Sequence, residues 1–60
     1  MEKLEKLLIS VIKEEDRYYE LANKALHEGN MIGNQVCVAQ ASAFQRVRYA
    51  IEDMLQNSII

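Results

Sequence analysis

Glu15 is the side chain best placed to do chemistry here, because the surrounding pattern asks for an apolar residue at its position. It falls between Val11-Ile12 and Tyr18-Tyr19, in the middle of what reads as the apolar face of a helix. A buried lone carboxylate is costly and must find a partner. Arg46, near the same level on the following helix, is the expected partner, with the tyrosine hydroxyls second. A polar residue of this kind can set register or partner choice within an apolar seam. The sharper alternative is a metal held by Glu14 and Glu15 together with their mates from a second chain. Carboxylate-bridged metal bundles use Glu-x-x-His on facing helices. Here Lys24 stands three residues before His27, so no metal is expected. Gln40, inside the apolar stripe of the second helix, reads as a further register-setting polar residue.

Cys37 and His27 flank the central turn and invite comparison with a nucleophile and its base. That chemistry needs the base within hydrogen-bond reach of the thiol and a third group to orient it. Cys37 lies at the edge of an apolar stripe while His27 points to the polar side, so a half-buried structural thiol is the expected state. No glycine-rich phosphate loop, serine triad or pocketed carboxylate pair can be assembled, and a short hairpin offers little concavity. The chain reads as a non-enzyme without a cofactor.

A binding surface is more legible. Val38 and Tyr49 project from the back face of the second helix, with Gln45 between them and Arg48 on the flank. Tyrosine and arginine are enriched at interface hot spots. This strip carries few charges, whereas the outer face of the first helix is densely charged and well solvated. Val38, Gln45, Arg48 and Tyr49 are therefore the expected partner-binding residues.

These residues need two helices to position them. In the first, over residues 2–28, Leu4, Leu7, Leu8, Val11, Ile12, Tyr18, Tyr19, Ala22, Ala25 and Leu26 recur at spacings of three and four. Glu2–Lys6 and Glu20–Lys24 are favourable i,i+4 pairs, and Lys13–Arg17 is an unfavourable one. Gly29-Asn30 supplies a left-handed cap followed by an N-cap. The expected division is helix 2–28, turn 29–33 and helix 34–56. Asn34 and Asn30 compete as the N-cap of the second helix. A start at Met31 is favoured because Ile32 then extends the stripe, at a cost of about 1 kcal/mol for Gly33 in the first turn. The stripe of the second helix is centred on Val36, Gln40, Ala43, Val47, Ala50, Ile51 and Met54, with Cys37, Phe44 and Leu55 on one edge. Residues 57–60 read as a fraying end. A turn near residue 30 sets Tyr18 and Tyr19 level with Ala41 and Ser42, large against small.

Size limits what such a hairpin can do alone. Sixty residues form one domain and bury too little surface to be more than marginally stable. One cysteine excludes an internal disulfide, and there is no zinc-ligand spacing, so self-association is the remaining source of stability. Both stripes are wider than one seam requires. The fold class is all-α: an antiparallel helical hairpin, dimerising into a four-helix bundle. A net charge of −2 does not suit a nucleic-acid binder. No signal peptide or membrane span is visible, and Glu14-Glu15-Asp16 opposes binding of residues 1–13 to anionic lipid. A free cysteine fits a reducing cytoplasm.

The Gly-Asn turn followed by AxAxAFxxVxxAI resembles, in pattern and size, the small helical hairpins encoded by phages and mobile elements. That resemblance implies a compact accessory or inhibitor protein that acts by binding another protein. The architecture is also similar to the Rop-type RNA-binding bundle, the alternative reading, in which Arg46, Arg48 and the lysines of the first helix would meet phosphates.

Overall fold

In a computed structural model, which describes residues 2–58, the chain is an all-α antiparallel helical hairpin measuring 47 × 15 × 10 Å. Helix α1 spans Glu2–His27 and helix α2 spans Met31–Ser58. Helix α1 starts where the sequence reading places it and ends one residue earlier, and α2 runs two residues further than expected. Residues 57 and 58 continue α2, while Ile59 and Ile60, also read as a fraying end, lie outside the described residues.

Two capping devices set the turn. Gly29 has φ of 76°, the left-handed region. The Asn30 amide donates to the Ala25 carbonyl at 2.8 Å and the Gly29 amide to the Leu26 carbonyl at 3.1 Å. This double bond pattern satisfies two carbonyls that a helix end would otherwise leave open. A Cβ at Gly29 would meet nothing within 4 Å, so the constraint there is backbone geometry alone. Gly29→Ala is expected to cost about 1 kcal/mol, the penalty of a left-handed L-residue, and a thermal melt at fixed concentration checks it.

Asn30 then caps α2. Its Oδ1 accepts the Gly33 amide at 2.8 Å, and its carbonyl accepts the Asn34 amide at 3.0 Å. The second helix therefore starts at Met31 rather than 34, as the early-start reading expected. Asn34 is not the N-cap because its side chain goes elsewhere: Nδ2 donates to the Ala22 carbonyl of α1 at 2.8 Å. Gly33 also gains a reason. A Cβ there would stand 2.6 Å from Asn30 Nδ2 and would displace the capping side chain. The helix-propensity loss at Gly33 is the condition for a cap of comparable worth.

The seam between the helices follows a spacing of three and four on each side. On α1 the inward positions are Leu4, Leu8, Val11, Glu15, Tyr18, Ala22 and Ala25, all buried or half-buried. On α2 they are Asn34, Cys37, Ala41, Phe44, Arg48, Ile51 and Leu55, again all buried or half-buried. Two contacts give the register. Glu15 meets Arg48, and the ring of Tyr18 stacks on Phe44 with centroids 5.6 Å apart and an interplanar angle of 16°. The same register sets Val11 level with Ile51, and Ala22 level with Ala41. Tyr18 thus faces an aromatic ring rather than the small residues expected, because the register is about two residues further along α2. The small-on-small layer falls nearer the turn, where Asn34 reaches across to α1.

Candidate functional site

The half-buried ion pair comes first. Glu15 is 6% exposed, as its place in the α1 pattern predicts. Its Oε1 accepts a hydrogen bond from Arg48 Nε at 2.8 Å. Arg48 Nη1 donates to Glu52 Oε1 at 3.2 Å, so one guanidinium bridges the carboxylates of two helices. The Glu15 hydrogen bond, more than any other influence, pushes the Arg48 guanidinium above its ordinary value; burial opposes this and Glu52 adds to it. A raised arginine value contributes stability that is present throughout ordinary pH and lost only in strong alkali.

The expected partner of Glu15 was Arg46, and this is corrected: the pair is with Arg48. Arg46 and Gln40 are both exposed in the hairpin. The reason is the phase of α2. Its hydrophobicity is greatest along Val36, Val47 and Met54, but the seam runs along Cys37, Ala41, Phe44, Arg48 and Leu55, about a quarter of a turn away. The residues read as the edge of the stripe are its contact line. Much of the expected centre, Val36, Val47 and Met54, faces away from α1 and is exposed.

Arg48 also carries the site around Tyr49. Its guanidinium carbon lies 4.8 Å from the Tyr49 ring centroid, a cation–π distance. Gln45 Nε2 donates to the Tyr49 hydroxyl oxygen at 3.0 Å, one helical turn back. Tyr49 is 53% exposed, with Gln45 at its hydroxyl and Arg48 over its ring. Of the four residues expected to bind a partner, Val38 and Tyr49 are exposed and Gln45 is half-exposed. Arg48 is half-buried, with Nε bonded to Glu15 and Nη1 to Glu52, and its guanidinium lies against the Tyr49 ring. Sequence alone hid this role, because an arginine at a seam position and one on a flank differ only by the helix phase.

By helical position, Ile12, Tyr19 and Leu26 of α1 lie on the same side of the hairpin as Val38, Gln45 and Tyr49 of α2. All three are exposed. They extend the apolar surface beside Tyr49, and the sequence reading had placed them within the buried face of α1.

Cys37 is half-buried at a seam position and His27 is exposed on α1. Among the described residues, no group of three or more His, Cys, Asp or Glu side chains gathers to hold a metal ion, and no helix is long and apolar enough to cross a membrane. Comparison with family models, curated proteins and solved structures finds no match to this chain.

Proposed function

We propose that the hairpin is a non-enzymatic protein-binding module. It self-associates into a four-helix bundle and regulates or inhibits a partner protein through the side of α2 that presents Val38, Gln45 and Tyr49. The observation that carries this reading is the fixed, exposed ring of Tyr49, clamped between the Gln45 amide and the Arg48 guanidinium. A ring already held in place loses less freedom on binding than a mobile one, so more of its contact energy survives as affinity. The likeness in size and pattern to phage helical hairpins supports an accessory or inhibitory role, and the lone cysteine supports a reducing compartment such as the cytoplasm. The phosphate-binding alternative loses Arg48, whose charge is already matched by two carboxylates.

The test is capture of a partner from host lysate by wild-type protein and by Tyr49→Ala, at low and high salt. Tyr49→Ala is expected to lose the captured protein while helicity and mass remain unchanged, because Tyr49 lies outside the seam. Tyr49→Phe, which keeps the ring over Arg48, is expected to retain most of it. Capture that survives Tyr49→Ala but weakens steeply with salt would overturn the reading in favour of a phosphate-rich target.

A further inference from the structure

We propose that the self-association face is the uncharged strip of α2 that turns away from α1, packed antiparallel against the same strip of a second copy, with the two-fold axis at Ala43. This rests on the reading of the hairpin as a self-associating module and specifies which face and which register that association uses.

The strip comprises Ile32, Val36, Ala43, Val47, Ala50 and Met54, with Gln40 as its one polar member. The spacings of three and four keep it straight along the helix. Ile32 is 77% exposed and Val47 is 46% exposed, and Val36 and Met54 lie between these values. No charged residue interrupts it over a length of roughly 33 Å at the helical rise. The adjoining side of α1 is different: Leu7 and Leu21 are there, but Glu14 lies between them, paired with Arg17 at 3.5 Å.

The elongated shape leaves this strip uncovered within one chain. The hairpin exposes 4645 Å². A monomeric protein of 6.9 kDa is expected to expose about 4,000 Å². The excess, about 650 Å², reflects a hairpin of 47 × 15 × 10 Å in which α2 is covered on one side only.

The order of residues in the strip argues that the occupant is a second copy, and in one orientation. With the axis at Ala43, Val36 stands level with the second copy's Ala50, Gln40 falls beside the second copy's Val47, and the two Ala43 residues meet. Val47 is level with the second copy's Ala39, so both valines of the strip oppose alanines, as close packing requires. The alanines let the helices approach at the axis, and Ile32 opposite the second copy's Met54 fills the wider ends. Parallel pairing would set Ile32, Val36, Gln40 and Val47 each against its own copy and leave Ala43 and Ala50 facing alanines. It would also align the two helix dipoles unfavourably. A self-paired Gln40 would then share the seam with mismatched volumes, whereas in the antiparallel register its amide lies at the edge of an apolar contact.

The experiment uses single-cysteine variants of the full chain in a Cys37→Ala background, treated with a short bis-maleimide, alongside light scattering across a dilution series. Ala43→Cys is expected to cross-link to itself. Val36→Cys alone is expected not to, since two copies of position 36 would lie about 21 Å apart, but a mixture of Val36→Cys and Ala50→Cys is expected to link. Val47→Glu, at an exposed position, is expected to keep its helicity and to weaken self-association at least a hundredfold. Dimeric mass with self-linking at Val36→Cys would overturn the antiparallel register. Dimeric mass without any linking, or a dimer that survives Val47→Glu, would overturn the strip and leave self-association standing. Monomeric mass at every concentration would overturn both.

Discussion

Glu15→Ala is expected to destabilise the protein by about 2 kcal/mol, between the 3–5 kcal/mol lost when one partner of a fully buried pair is removed and the under 1 kcal/mol of an exposed pair. The intermediate value follows from the geometry. The carboxylate is buried, but the Arg48 side chain is 24% exposed. Without Glu15, the guanidinium keeps its bond to Glu52 and its access to water. The reverse substitution is not equivalent. Arg48→Ala strands the Glu15 carboxylate between Val11 and Tyr18 with its ionic partner gone, so it is expected to be the more damaging of the two. The double variant is expected to lose less than the sum, because the pair is one interaction. Glu15→Leu is expected to recover most of the loss, since it completes an otherwise apolar layer. Urea unfolding at a single protein concentration checks all four, the fixed concentration being needed wherever association is linked to folding. Equal losses for Glu15→Ala and Arg48→Ala would mean that Arg48 is as dry as Glu15.

How much of this was legible in the sequence depends on the helix. In α1 the apolar residues recur strongly enough that Val11, Tyr18, Ala22 and the buried Glu15 could all be assigned to one face, and they share it. The turn was legible too, because glycine followed by asparagine has a specific backbone meaning. Helix α2 misled because its contact line is built from small and polar residues: Asn34, Ala41, Arg48. Weighting residues by hydrophobicity pulls the apparent core toward the larger side chains Val36, Val47 and Met54, which this hairpin leaves exposed. The partner of Glu15 was then misassigned by two residues, and Arg48 was read as a free surface group. No local signal distinguishes a strip that packs against its own hairpin from one that does not. In the phase adopted, Ala22 lies level with Ala41, small against small, and Tyr18 stacks on Phe44.

That phase yields the second large expected effect, a contrast between the two faces of α2. Ile51 is buried level with Val11, and Ile51→Ala is expected to cost about 3 kcal/mol, the usual loss for truncating a core isoleucine. Ala41 is fully buried in the layer of Ala22, so Ala41→Leu is expected to cost about 2 kcal/mol through overpacking. A leucine at this position would also raise the hydrophobicity of the helix, so a sequence-only reading would predict a gain. Ala43→Leu, two residues away on the exposed strip, adds the same volume without touching the seam. In dilute solution, where chains are separated, it is expected to leave hairpin stability nearly unchanged, because an exposed surface substitution away from special features stays within about 0.5 kcal/mol. Chemical unfolding of the three variants in a dilution series reads the contrast directly. A loss for Ala43→Leu in dilute solution, with Ala41→Leu tolerated, would place the α1 contact on the hydrophobic stripe and rotate α2 by about a quarter of a turn.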